Sequence, residues 1–345
     1  MSLLARSKRY VDDPSSMLDF STDKWAVLLL NMGGPQSLDQ VPEYLFNIFS
    51  DRNIIKLPMS RILQRPLAKL ISSRRSGKVA EHYKEIGGGS PLLRVTEAQA
   101  SSLKTELRRK FANVEVLVGM RYTRPSIREA LNRASRMGCR HVILLPLYPQ
   151  YSLATTGTAF LEALKWLDND DSDLILSAID DWHDHSDYIP ILRDRIQSGI
   201  DEMPGDGDVR VLFSAHSLPQ SMVDGGDPYV AQTRTTVKLA GGGFDHSLSF
   251  QSRSGPVKWV GPETIAEVRR LAGQGVKRLL IVPVSFVSDH IETLHEIDIE
   301  LKGIALSAGI KHFARTRSFN DDSDFINCLL RIVVEKIHTA GETEQ

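Results

Sequence analysis

One internal repeat limits what this chain can fold into. Residues 125–146 read PSIREALNRASRMGCRHVILLP, and residues 262–283 read PETIAEVRRLAGQGVKRLLIVP. Pro125 matches Pro262, Gly138 matches Gly275 and Pro146 matches Pro283, a constant offset of 137 residues. Each copy opens a helix with proline, ends it with glycine, adds a basic residue and closes on four apolar residues and a second proline. Proline at a helix start and glycine just past its end follow the asymmetry of helix termini. A looser pair precedes it, LLLNMGGP ending at Pro35 and VLFSAHSLP ending at Pro219. A helix–strand unit written twice in one register predicts two similar halves.

The segments between these marks fix the class. Ala26–Asn31, Val114–Gly119, His141–Pro146, Leu174–Ile179, Val209–Ser214 and Arg278–Pro283 are short and apolar without alternation. Such runs suit strands covered on both faces. Amphipathic stretches such as Arg94–Phe111 and Glu263–Gly273 lie between them. Strand–helix alternation predicts an α/β fold of two Rossmann-like domains, each a parallel sheet flanked by helices, with a cleft between them. The expected division is a tail at 1–24, a first domain at 25–180 and a second at 181–345, whose last helix is free to pack back on the first. In open α/β sheets, ligands sit beyond the carboxyl ends of the strands. Residues just after each strand are therefore the functional candidates.

Composition removes several classes. The net charge is −1, from 42 basic and 43 acidic side chains, so the basic surplus of a general nucleic-acid binder is absent. No apolar run approaches the ~20 residues of a membrane span. The two cysteines, Cys139 and Cys328, stand in apolar runs and read as packing residues of a reducing compartment. The first twelve residues have Arg6, Lys8 and Arg9 but no long apolar core. They read as a polar tail or the stub of a transit sequence, not as a secretory signal.

The strand ends collect chemistry. Asn31-Met32-Gly33-Gly34-Pro35 follow the first strand, and Met120-Arg121-Tyr122 the second. Tyr148, Gln150, Tyr151 and Ser152 follow the third, and Ser214-Ala215-His216-Ser217 the fifth. Ser285, Phe286, Ser288, Asp289, His290 and Glu292 follow the sixth. Ile291–Leu301 reads as a helix with Glu292, Glu296 and Glu300 on one face. That ladder is either a solvated face or a path for a divalent cation or protons. An imidazole at a strand end, His216, can take a proton or bind a metal. No nucleophile elbow surrounds Ser214, which disfavours a serine hydrolase. Gly87-Gly88-Gly89-Ser90 lacks the lysine of a phosphate-binding loop. It reads, like Gly33-Gly34-Pro35, as a turn that brings backbone near a ligand.

Seven blocks then carry a resemblance. LLLNMGGP, YKEIGGGSPL, LYPQYSLATTG, VLFSAHSLP, GDPY, KWVGPET and SDHIETLHEIDIE occur in this order between Trp25 and Ile337. They resemble the blocks of the ferrochelatase family, in the wording of the branch that uses protoporphyrin IX. The resemblance implies a chelatase-like fold and a lyase that inserts Fe²⁺ into protoporphyrin IX to form protohaem. It implies that His216 is the active-site histidine and Glu292 the acid opposite it. Asp289, His290, Glu296 and Glu300 match the acidic path and, with His216 and Glu292, are the implied metal ligands. Met32, Arg121, Tyr122, Tyr148, Trp259 and Phe286 match pocket-lining positions. Tyr83, Tyr151 and Ser217 stand in matching blocks and are taken as substrate-binding. Many members hold a [2Fe–2S] cluster, with one ligand in a Y-S-C-S-T-T-G block. Here that block reads Tyr151-Ser152-Leu153-Ala154-Thr155-Thr156-Gly157, and four thiolates cannot be assembled. No cluster and no tightly bound cofactor are expected, with Fe²⁺ as substrate. Arg253 stands where members often have lysine.

Residues Tyr44–Leu70 mix apolar side chains with Arg52, Lys56, Arg61 and Arg65. They read as a pair of amphipathic core helices or as an apolar lip resting on a membrane; the resemblance favours the lip. The expected setting is therefore cytoplasmic and peripheral to an inner membrane, or the matrix side of a mitochondrial inner membrane. A homodimer stays open. The rival readings are a chelatase for another metal or tetrapyrrole and a non-catalytic porphyrin carrier. The carrier would not need His216 and Glu292 together.

Overall fold

A computed structural model of the chain describes residues 3–14, 19–20, 22–54, 62–253, 255 and 257–338. It divides into two compact units, one running to Trp182 and resuming at Asn320, the other His183–Phe319. The first holds strands β1 (Trp25–Asn31), β2 (Val114–Met120), β3 (His141–Pro146) and β4 (Ile175–Ala178). Its helices are α1 (Val41–Ser50), α2 (Gln64–Glu85), α3 (Leu92–Arg108), α4 (Ile127–Arg136) and α5 (Thr158–Leu167). The second holds β5 (Arg210–His216), β6 (His246–Gln251), β7 (Arg278–Pro283) and β8 (His312–Arg315). Its helices are α6 (Tyr188–Asp201), α7 (Gln220–Asp224), α8 (Tyr229–Gly241), α9 (Thr264–Gly273), the π-helix Glu292–Leu301 and α10 (Lys302–Ser307). The closing helix α11 (Ser323–His338) belongs to the first unit, where Gln99 Nε2 of α3 donates to the Asn320 carbonyl at 2.7 Å.

Both sheets are parallel and have one topology, β2-β1-β3-β4 and β6-β5-β7-β8. The repeat thus maps β1 onto β5, β2 onto β6 and α4 onto α9. Its punctuation works the same way twice. Gly138 and Gly275 adopt left-handed backbones, φ 75° and 89°. Each closes a Schellman motif: Cys139 N–H reaches the Ala134 carbonyl at 3.1 Å, and Val276 N–H the Leu271 carbonyl at 3.1 Å. The opening prolines differ from the sequence expectation. Pro125 and Pro262 precede the helix caps Ser126 and Glu263 instead of occupying the first helical position. Both are cis, and their carbonyls accept from Met120 N–H and Phe250 N–H at 2.7 and 2.8 Å. The proline therefore ties the end of the preceding strand to the helix entry.

Burial explains which strands were legible. All seven residues of β1 and all six of β3 are buried, because helices cover both faces. In the first unit α4 and α5 supply Ile127, Leu131, Phe160, Ala163 and Trp166 against Leu28, Leu30, Val142 and Leu144. In the second, α9 and the π-helix set Val268, Leu271, Ile297 and Leu301 against Leu212, Leu279 and Ile281. The strands β6 and β8 escape the apolar-run criterion. Ser249 in β6 is buried but polar, hydrogen-bonded to Thr264 Oγ1 at 3.0 Å and to the Phe213 carbonyl at 3.2 Å. The edge strand β8 has four half-buried residues.

Candidate active site

The chemistry of the second unit gathers at the carboxyl ends of β5, β6 and β7. Register sets His216 opposite Gln251 and Ser214 opposite Pro283, so β5 and β6 end level and β7 ends two residues earlier. The chain then runs from β7 through Phe286 and His290 into the π-helix, whose i→i+5 winding keeps Glu292 and Glu296 on one side. His216 Nδ1 lies 2.8 Å from Glu292 Oε2. A carboxylate only accepts, so Nδ1 carries the proton and Nε2 presents its lone pair when the ring is neutral. The His216 backbone N–H donates to Ser285 Oγ at 3.2 Å, and Ser285 in turn pairs with Tyr229 Oη at 2.5 Å. Phe286 stands edge-on to His216, ring centroids 6.1 Å apart, and 4.1 Å from the His290 ring.

Glu292 is held mostly through one oxygen. Besides His216, Oε2 accepts from Ser252 Oγ at 3.2 Å and Gln251 Nε2 at 3.5 Å. Gln251 is itself oriented by Ser214 Oγ at 2.6 Å. Glu292 Oε1 faces His290 Nε2 at 4.0 Å. His290 Nδ1 lies 3.1 Å from the Ser288 carbonyl, so Nδ1 carries the proton. Its Nε2 is buried without a hydrogen-bond partner. Glu296 meets Ser252 Oγ at 2.5 Å. Glu300 is exposed, at the rim of a small solvent-open pocket lined also by Glu263, Glu296 and Ser252.

Electrostatics separates these groups. Loss of solvent around His216 works against the imidazolium, but Glu292, and beyond it Glu296, outweigh that and raise its pKa. Burial would raise Glu292, yet the two histidines and the Ser252 hydroxyl hold it well below the usual range. Burial, then the neighbouring Glu292 charge, push Glu296 up. Burial also lowers His290, which therefore stays neutral and keeps its Nε2 lone pair.

Asp289, expected on the same path, is spent elsewhere. It accepts from Ser318 Oγ at 2.7 Å and Thr293 Oγ1 at 3.2 Å, and Arg315 Nη2 lies 3.2 Å away. The sequence placed a carboxylate beside His290 but could not show Arg315, which the β7–β8 pairing brings in. Trp259 and Ser217 flank the His216 loop. Pro219 and Trp259 form an antiparallel bridge, and Ser217 Oγ donates to the Val260 carbonyl at 2.9 Å. Arg253 donates to that same Val260 carbonyl at 3.1 Å and lies 3.7 Å from Glu263.

In the first unit, Met32, Arg121, Tyr122 and Tyr148 come together at the ends of β1, β2 and β3. Tyr122 N–H donates to the Met32 carbonyl at 3.0 Å, and Arg121 N–H to the Asn31 carbonyl at 2.9 Å. Asp51, which sequence reasoning missed, organises them. It pairs with Arg121 Nη2 at 2.6 Å and accepts from Tyr122 Oη at 2.9 Å. Burial raises the Tyr122 and Tyr148 pKa values, so both remain phenols. Tyr83 is buried on α2, and Tyr151 lies over Gly157. The two glycine turns pack on each other, with Ser90 N–H on the Pro35 carbonyl at 2.7 Å. A Cβ at Gly89 would strike the Gln36 carbonyl, so here the close approach is between two loops of backbone.

Comparison with known proteins decides the family. The ferrochelatase family model matches residues 24–337. The chain belongs to the ferrochelatase family. It is 45% identical over 315 residues to the ferrochelatase of Geotalea daltonii, covering 90% of this chain and 98% of that one. It is 43% identical to the Synechocystis ferrochelatase over 319 residues, 90% of this chain and 82% of that one. Against the chloroplastic ferrochelatase-2 of Cucumis sativus it is 44% identical over 329 residues, 92% of this chain and 64% of that one. Among solved structures, SirB from Bacillus subtilis with Fe³⁺ shares the fold, with a TM-score of 0.55 at 13% identity, over 92% of this chain and 98% of that chain. The chain is a porphyrin metal chelatase, a lyase that forms protohaem by inserting Fe²⁺.

Within the ferrochelatase frame, the residues that sequence reasoning missed share a trait. Asp51, Gln251, Ser252 and Tyr229 orient the residues named for chemistry. Their signal was only adjacency: Ser252 stands beside Arg253 in QSRSGP, and Tyr229 closes GDPY. The two cysteines are buried at the entry to β3 and in α11.

Proposed function

We propose that, during Fe²⁺ insertion into protoporphyrin IX, His216 takes the pyrrole protons through Nε2 while Glu292 and His290 present the iron. One observation carries this reading. Glu292 Oε1 and His290 Nε2 face each other at 4.0 Å, and both are acceptors with no proton between them. Two lone pairs left facing in a buried place repel, and a cation relieves them. The gap is about twice the ~2.0–2.2 Å that a first-row divalent ion keeps from imidazole nitrogen and carboxylate oxygen. Imidazole and carboxylate also suit Fe²⁺ without the tight grip of thiolates. Glu296 and the exposed Glu300 extend the site outward past the pocket at Glu263. Asp289 supports this as an anchor for the loop, not as a ligand.

The pyrrole protons have to leave as the metal arrives. A neutral imidazole with its other nitrogen bound to a carboxylate is a base whose conjugate acid is stabilised in place. In the first unit Met32, Tyr122 and Tyr148 offer apolar and aromatic surface suited to a macrocycle, and in the second Trp259 and Phe286 do. Contacts remote from the reacting nitrogens can hold it bent and expose its lone pairs. Arg121 is charge-matched to a propionate, with Asp51 setting its direction. The protein works as a peripheral enzyme on the cytoplasmic face of an inner membrane. Among the described residues no helix is long and apolar enough to cross one. Ile62 is 85% exposed, and Leu63 and Leu70 are exposed beside Arg65 and Lys69, a mixture suited to an anionic lipid surface. Ile55, Lys56, Leu57, Met59 and Arg61 of the same segment lie outside the described residues.

The test is anaerobic incubation with Fe²⁺ and either protoporphyrin IX or coproporphyrin III, followed by absorbance. His216→Ala is expected to abolish metallation while porphyrin binding persists. Turnover retained in His216→Ala refutes the assignment.

A further inference from the structure

We propose that Ser252 is a positioning residue for metal insertion, fixing Glu292 so that Oε1 is the oxygen left for the iron. This rests on the reading that Glu292 presents Fe²⁺. Ser252 has φ 65°, and Asn320 is the one other non-glycine residue with positive φ among those described. Serine gains nothing intrinsic from a left-handed backbone, so surrounding contacts have to hold it there.

What that conformation achieves can be read from the strand. Successive side chains of a β-strand point to opposite faces. Gln251 ends β6 and reaches Glu292 Oε2 at 3.5 Å. Were the strand to continue, Ser252 would point the other way. The left-handed turn instead swings its hydroxyl onto the same carboxylate, 3.2 Å from Glu292 Oε2 and 2.5 Å from Glu296 Oε2. A hydroxyl has one proton and two lone pairs, so it donates to one of the two carboxylates at a time. The two glutamates sit on successive turns of the π-helix and share this hydroxyl.

The consequence concerns which oxygen is free. His216 Nδ1, Ser252 Oγ and Gln251 Nε2 all converge on Oε2 of Glu292. Oε1 is left facing the bare Nε2 of His290. Contacts gathered on one oxygen set the plane of the carboxylate, so that its other oxygen stays aimed at His290. Without the hydroxyl, Glu292 Oε2 keeps His216 at 2.8 Å and the long Gln251 contact at 3.5 Å, and Glu296 loses the hydroxyl it shares with Glu292.

The experiment compares Ser252→Gly, Ser252→Ala and Ser252→Asn in the full chain. Each is assayed anaerobically, varying Fe²⁺ and protoporphyrin IX separately, with thermal melting alongside. Glycine accepts the left-handed backbone more readily than serine. A merely structural Ser252 therefore predicts a glycine variant at least as stable and fully active. The proposal predicts a glycine variant that melts at or above the parent yet loses about 10- to 100-fold in kcat/KM for Fe²⁺, the cost usual for residues that orient metal ligands. KM for the porphyrin stays unchanged. Asparagine tolerates the same backbone and carries a donor, so Ser252→Asn recovers part of the loss. Parental Fe²⁺ kinetics in Ser252→Gly, or an equal loss against both substrates, overturns the proposal. His216→Ala run in parallel separates the two levels. If it is inactive while Ser252→Gly is parental, only the role of Ser252 fails; if it retains turnover, the reading of the whole site fails with it.

Discussion

Glu292→Gln isolates the charge of the central pair while preserving its shape. In the parent, Glu292 Oε2 lies 2.8 Å from His216 Nδ1, which puts the charge centres roughly 4 Å apart. Two opposite charges at about 4 Å interact by about 4 kcal/mol at an effective dielectric near 20, and by about 1 kcal/mol in bulk water. The His216 side chain is 36% exposed and that of Glu292 14%, so neither limit applies. Discounting for solvent screening leaves about 2 kcal/mol. Removing that charge takes away the attraction that raises the His216 pKa, so the pKa falls in the glutamine variant. The sign follows from linkage. His216 is raised in the folded state, so its share of the stabilisation is full below the unfolded value of 6.5 and disappears as pH rises through the folded value. Glu292 is depressed, so its share is full above the unfolded value of 4.5 and is lost as pH falls through the folded value. The variant is therefore most destabilised between about pH 4.5 and 6.5, and the difference closes at alkaline pH. NMR titration of the His216 ring protons reads the pKa directly, and melting at several pH values reads the stability. An unchanged or increased His216 pKa in Glu292→Gln refutes the reasoning. So does a stability gap that widens above pH 8.

Three further outcomes follow from particular contacts. Asp51→Ala leaves the half-buried Arg121 guanidinium with Glu162 at 3.9 Å as its remaining carboxylate; the loss stays below the about 3–5 kcal/mol of a fully buried pair broken outright, measured by urea unfolding, and the porphyrin KM rises as Arg121 and Tyr122 lose their orientation. Leu28→Ala opens a cavity under a fully buried strand; about 2–5 kcal/mol of stability is lost, with Fe²⁺ KM unchanged in the surviving folded fraction. Ile62→Asp puts a charge at the most exposed large apolar side chain among the described residues and weakens flotation with anionic liposomes while leaving turnover of detergent-solubilised porphyrin intact; equal flotation counts against the membrane reading.

The legible part of this molecule was the part written in period and punctuation. The repeat predicted two parallel α/β sheets because apolar runs such as HVILLP have no polar face to give to water, and β3 and β7 appear with the bounds expected. Gly138 and Gly275 marked helix ends correctly, since a left-handed cap is a local matter. The prolines were misplaced by two residues. Their task is to accept from Met120 and Phe250, which belong to other elements. β6 was invisible for a related reason. Its buried Ser249 and Gln251 are satisfied by Thr264, Ser214 and Glu292, and nothing in HSLSFQ announces those partners.

The catalytic candidates show the same division. Sequence alone put His216 and Glu292 at strand ends, because a strand's end is set by local pattern. The family blocks named their chemistry. Only tertiary structure decided that Glu292 binds His216 through Oε2 and faces His290 with Oε1, that Arg315 pairs with Asp289, and that Asp51 pairs with Arg121. These are contacts between residues as much as 76 positions apart. Local sequence encodes what a residue can donate, accept or bury. Which lone pair stays free depends on where distant side chains come to rest, and only the packed fold settles that.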